Sequence, residues 1–76
     1  MMKIDKKALY SARYPHGTIV MLTEPIVDKY GASKPAGARF YVDYVDDALQ
    51  LQGHWLPPAS GSLAIIIGED HFKVVS

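Results

Sequence analysis

Five short runs of β-branched, aromatic and apolar residues recur about every ten residues between Thr18 and Val75, each closed by a turn signal. That spacing in so short a chain allows a small antiparallel barrel or sandwich and little else. The first run is "TIVMLT", Thr18 to Thr23. The second is "ARFYVDYV", Ala38 to Val45, and the third "LQLQGHW", Leu49 to Trp55. "SLAIII", Ser62 to Ile67, and "FKVV" from Phe72 to Val75 complete the set. The third run alternates most cleanly. Leu49, Leu51, Gly53 and Trp55 share one face; Gln50, Gln52 and His54 share the other, the pattern of a half-buried strand. In the second run Phe40, Val42 and Tyr44 alternate with Tyr41, Asp43 and Val45. The Asp46–Ala48 turn then joins runs two and three as a hairpin, because Asp side chains close local turns. The expected core is Phe40, Val42, Leu49, Leu51, Trp55, Leu63 and Phe72.

Ahead of the strands, Asp5 to Tyr14 is the one helix the sequence supports. Asp5 is a fitting N-cap, Leu9, Ala12 and Arg13 form a short stripe, and Pro15 ends the segment. Residues 1–14 therefore read as an arm or short helix and 15–76 as the barrel domain. The chain has 76 residues, one domain's worth, and 49% of them are hydrophobic, enough for a core without staples. Cysteine is absent, which removes disulfides and thiolate metal sites. Eight basic residues balance eight acidic ones, whereas a binder of phosphate backbones usually carries a basic excess. The longest apolar run, "LAIII", is far shorter than the roughly 20 residues of a bilayer span. The N-terminus lacks the apolar stretch of a secretory signal. The expectation is a soluble, cytoplasmic protein.

No catalytic, cofactor or metal motif stands out. "DYVDDALQLQGHW" and "EDH" gather Asp43, Asp46, Asp47, His54, Glu69 and His71, but without the spacing of a metal or acid–base site; the Asp46–Asp47 pair reads as turn chemistry. "GASKPAG" lacks the Lys-Ser/Thr ending of a phosphate loop, and "ASGSL" is no nucleophile elbow. The protein is read as no enzyme, with no cofactor. The feature that invites function is "EPIVDKYGASKPAG", Glu24 to Gly37. These fourteen residues, with two prolines and two glycines, are long for a loop in so small a domain. Together with the adjoining strand it offers Pro25, Ile26, Val27, Tyr30, Lys34, Arg39 and Tyr41 as partner-binding residues, since Tyr and Arg mark interfaces.

The series Tyr14, Pro15, Gly17, Thr18, Val20, Leu22; Pro35, Gly37; Val45, Asp46, Asp47; Trp55; Gly61, Ser62, Leu63; Gly68, Asp70, Phe72 resembles a family of small uncharacterised domains from phages and other bacterial mobile elements. The resemblance spans Ala8 to Val75. It departs where Arg39 and Phe40 replace a second glycine, and where "LPPASG" replaces a shorter Asp-x-Gly. It implies an SH3-like barrel and no assigned activity. The function expected is a non-enzymatic protein-interaction module, an inhibitor or modulator of a host protein. One rival is a nucleic-acid-binding barrel using Lys29, Lys34, Arg39 and Lys73; another is a small-ligand-binding oligomer. "SLAIII" has more apolar side chains than one inner face can use. Either the helix covers them through Leu9 and Ala12, or a two-fold homodimer does, with Ile66 near the contact.

Overall fold

The computed structural model describes residues 5–76. One helix, α1 (Lys6–Arg13), precedes five strands: β1 (Ile19–Leu22), β2 (Arg39–Val45), β3 (Gln50–Trp55), β4 (Ile65–Ile66) and β5 (Phe72–Val74). All pairings are antiparallel, in the order β4-β3-β2-β1-β5. The expected mainly β fold with a short N-terminal helix is therefore present, as one open sheet. β4 and β5 lie at opposite edges and share no ladder. They hold only two and three residues. The chain between them is tied into a turn in which the Ile66 carbonyl accepts from Glu69 and Asp70, and the Asp70 carboxylate accepts from the Ile66 N–H.

One face of the sheet forms a single core: Val20, Leu22, Ala38, Phe40, Val42, Val45, Leu51, Trp55 and Ile65. Trp55 is its largest member. Its ring meets Phe40 edge-on at 4.9 Å, a favoured aromatic geometry. Its Nε1–H donates to the Leu63 carbonyl at 2.8 Å. β4 begins two residues later, at Ile65. Leu49, Leu63 and Phe72, expected in the core, are half-buried instead.

The strict alternation expected along β2 fails at one point. Val42 pairs with Gly53 and Tyr44 with Gln52, so Asp43 is an extra residue, a β-bulge. The bulge flips the pattern behind it: Val45 turns into the core and Tyr44 turns out, 58% exposed. Gly53 makes the bulge possible. A Cβ there would lie 1.9 Å from the Tyr41 carbonyl oxygen. Asp46 closes the β2–β3 hairpin as expected, with Oδ1 accepting from the Ala48 and Gln50 N–H groups and Oδ2 from the Gln52 amide. These bonds, Gln52 first, hold its carboxyl below the ordinary carboxylate range.

Asp5 caps α1, its side chain accepting from the Ala8 N–H at 3.1 Å. The helix does not cover the sheet with Leu9 and Ala12. Leu9 is 47% exposed and Ala12 is exposed. Tyr10 and Tyr14, one turn apart, pack on the core instead, and Tyr14 meets Phe72 edge-on at 5.5 Å. Residues of "SLAIII" that Leu9 and Ala12 were expected to cover are buried or half-buried within the chain, apart from exposed Ser62.

Candidate functional site

The Thr23–Gly37 segment is a folded hairpin, not a slack loop. Ile26 and Lys34 exchange both backbone hydrogen bonds at 2.9 Å. Beyond them, Asp28 organises the tip. Its carboxylate accepts from the Ala32 N–H, its carbonyl from the Gly31 N–H, and its own N–H donates to Ser33 Oγ. On this frame Val27 and Tyr30 stand out, 85% and 84% exposed, and the Lys29 ammonium lies 5.5 Å from the Tyr30 ring centre.

The seven residues expected to bind a partner fall into separate places. Val27 and Tyr30 form the hairpin tip, and Pro25 is exposed at its base. Ile26 packs against the core. Arg39 is exposed at the start of β2 and lines a groove. Tyr41 lies on the outer face of the sheet, stacked on His54 at 4.9 Å, with its hydroxyl 3.3 Å from His16 Nε2. Lys34 is only 6% exposed, so it forms no surface patch with Lys29, Arg39 and Lys73. Its ammonium donates to the Ala32 carbonyl at 2.7 Å and sits 5.6 Å from the Trp55 ring centre.

A wall that sequence reasoning did not assign completes the site. The segment Leu56 to Ser62 leaves β3 and faces the hairpin. Between them lie two adjoining cavities. One, of about 360 Å³, is mostly apolar and bounded by Pro35 to Arg39 on one side and Leu56 to Ala59 on the other. The second, of about 500 Å³, lies between Gly31–Pro35 and Pro58–Ser62 and includes Lys34. Pro35, Pro58 and Ala59 border both. The signal for this wall was available in "LPPASG", whose prolines break the sheet but also stiffen a surface. Gly61 fits closely here: with φ near +100° it turns the chain, and a Cβ on it would lie 3.3 Å from Lys34 Nζ.

The acidic and histidine residues of the β2–β3 hairpin go elsewhere. Asp46 closes its turn, Asp47 pairs with Lys7 at 2.6 Å, and Asp43 lies 3.8 Å from His16. Among the described residues no three His or acidic side chains converge as a metal-binding group would. No helix among the described residues is long and apolar enough to cross a membrane.

No curated protein and no solved structure matches the chain. A family model does, over residues 6–75, which takes in the helix, all five strands and both walls of the groove. The chain belongs to the family described as domain of unknown function DUF4314.

Proposed function

We propose that this domain is a non-enzymatic protein-interaction module of a phage or mobile element, acting in the cytoplasm as a modulator of a host protein. It docks its partner on the 24–37 hairpin and the groove beside it. One observation carries the reading: a hairpin fixed by its own hydrogen bonds holds Val27 and Tyr30 out in solvent. Apolar and aromatic side chains lose free energy in that position unless something covers them. A frame ordered in advance removes much of the entropy cost of binding. The proline-walled groove alongside supports the same reading, since rigid apolar walls suit an extended segment of another chain.

The test is affinity capture from host extract with the wild-type protein and with a Val27→Ala/Tyr30→Ala double variant. Both side chains are exposed, so the variant is expected to melt within a few degrees of wild type. A partner retained by wild type and lost by the variant supports the reading. Equal recovery by both proteins, or no reproducible partner, overturns it.

A further inference from the structure

Lys34 is buried, and among the described residues it has no counter-ion. The three ion pairs among the described residues are Lys7–Asp47, His16–Asp43 and His71–Glu24. None involves Lys34, and residues 1–4, Met-Met-Lys-Ile, carry no carboxylate side chain. Asp28, the acid of the same hairpin, spends its carboxylate on the Ala32 N–H. The Lys34 ammonium has three N–H donors, of which the Ala32 carbonyl takes one. The Trp55 ring gives a further, weaker attraction. Burying a charge is expensive unless it is paired, and among the described residues the ammonium makes one hydrogen bond and no ion pair. The ammonium lies at a cavity of about 500 Å³ open to solvent, bordered also by Ser60, Gly61 and Ser62.

We infer that Lys34 receives a carboxylate from an Asp or Glu side chain of an extended partner segment lying in the groove. The inference rests on the proposed docking of a partner protein there, and supplies the chemistry of one contact. A single ammonium matches a monoanion. Arg39 borders the adjoining cavity and not this one, so the cluster of cations that favours a phosphate dianion is missing. A terminal carboxylate is captured by a nest of free backbone N–H groups. On the hairpin wall the Gly31, Ala32 and Lys34 N–H groups are spent, donating to Asp28 O, Asp28 Oδ2 and Ile26 O, and a partner chain that ended at Lys34 could not run on into the adjoining apolar cavity. A side-chain carboxylate needs only the cation. The apolar neighbouring cavity then takes an uncharged part of the same segment.

The experiment is an amide-resolved NMR titration at matched ionic strength. The probes are sodium acetate against sodium chloride, the blocked peptide acetyl-Pro-Ala-Glu-Ala-Pro-amide against its Gln counterpart, acetyl-Pro-Ala-Gln-Ala-Pro with a free C-terminus, and inorganic phosphate. Acetate and the Glu peptide are expected to shift the Trp55 indole N–H and the Gly61 amide. The Gln peptide should bind about tenfold or more weakly, the difference a charge-assisted hydrogen bond makes. Lys34→Met, which keeps the stem on Trp55, is expected to erase the Glu–Gln difference. The wild-type comparison needs no variant, so a misfolded Lys34→Met leaves the test intact. Equal binding of the Glu and Gln peptides, no response at Trp55 and Gly61, or a stronger response to phosphate or to the free C-terminus overturns the inference. The Val27→Ala/Tyr30→Ala protein is expected to keep the Glu–Gln difference, so the hairpin-tip reading and the Lys34 reading can fail separately.

Discussion

Replacing Gly53 by alanine tests the architecture at its tightest point. The backbone φ at Gly53 lies outside the left-handed region, so alanine is not strained there. The obstacle is steric. The new Cβ would lie 1.9 Å from the Tyr41 carbonyl oxygen and 3.0 Å from the Asp43 N. Both neighbours are backbone, so β2 and β3 must part by roughly 1.5 Å at the bulge before contact becomes ordinary. Overpacking of this kind costs about 1–3 kcal/mol. Stretching one or two ladder bonds adds about 1 kcal/mol each. Reduced freedom of the unfolded chain returns about 0.5–1 kcal/mol. The net loss is about 1–4 kcal/mol, set against a total of about 4–11 kcal/mol for a chain of this size. The melting temperature should fall by roughly 4–30 °C, at about 4–8 °C per kcal/mol.

Thermal melts and urea titrations followed by Trp55 fluorescence measure the loss. Gly68→Ala is the comparison, because φ there is +93° and nothing lies within 4 Å of the added Cβ. It should lose only backbone strain, about 1–2 kcal/mol, partly offset by the same reduced freedom of the unfolded chain. A Gly53→Ala protein melting within about 4 °C of wild type, or above Gly68→Ala, would show that the bulge opens freely and would refute the reasoning.

Trp55→Ala should lose about 3–5 kcal/mol and leave little folded protein at 25 °C, whereas Trp55→Phe keeps most of the apolar contact and loses about 1–2 kcal/mol with the bond to Leu63; equal melting temperatures for the two would show that the ring does not organise the core. The Asp46 carboxyl titrates below its ordinary value of 3.8 when folded. Its contribution to stability is therefore complete above about pH 5 and fades as the pH falls through the ordinary value and then the lower folded value. Asp46→Asn should flatten that part of the acid limb in pH-dependent urea midpoints, and an unchanged limb would contradict it. Self-association through Ile66 predicts a two-chain mass by light scattering at micromolar concentration, falling to one chain with Ile66→Asp. A one-chain mass in both proteins refutes it and leaves the more exposed Val74 and Val75 at the β5 edge as the apolar surface to explain.

The parts of the fold legible in the sequence are those whose causes are local. Asp5 caps the helix and Pro15 follows its end, so its bounds can be read within a residue. Asp46 closes the hairpin through bonds to groups within six residues of it. The alternation of β3 holds because no extra residue interrupts it. In β2 the same rule misplaces Tyr44 and Val45, because alternation assumes an unbroken ladder. Gly53, a glycine inside an otherwise regular strand, was the available mark of a bulge, but it sits on the partner strand. The helix face was misread for a similar reason. Aliphatic spacing favours Leu9 and Ala12, while the larger rings of Tyr10 and Tyr14 win the contact with Phe72 and the core. Of the candidate site, the hairpin tip could be read from loop length and composition. The burial of Lys34 could not, since lysine is rarely buried and the groove forms between the separate segments 31–39 and 56–62.

That burial joins the site to the fold. Trp55 packs on Phe40, donates to Leu63 at the entry to β4, and lies beneath the Lys34 ammonium. The same side chain thus holds the sheet together and positions the cation in the groove. An exposed lysine would sample many rotamers and pay to order each one on binding; Lys34 has already lost that freedom, between Trp55, Ala32 and Gly61. A carboxylate entering the groove pairs with the ammonium that folding has placed there, and it binds only the folded state. Occupancy should therefore raise the melting temperature in step with concentration. The rise should be larger for wild type than for Trp55→Phe, in which the Phe ring is smaller and a weaker cation partner than Trp. A ligand that shifts the Trp55 indole resonance without raising the melting temperature would break this link between groove and core.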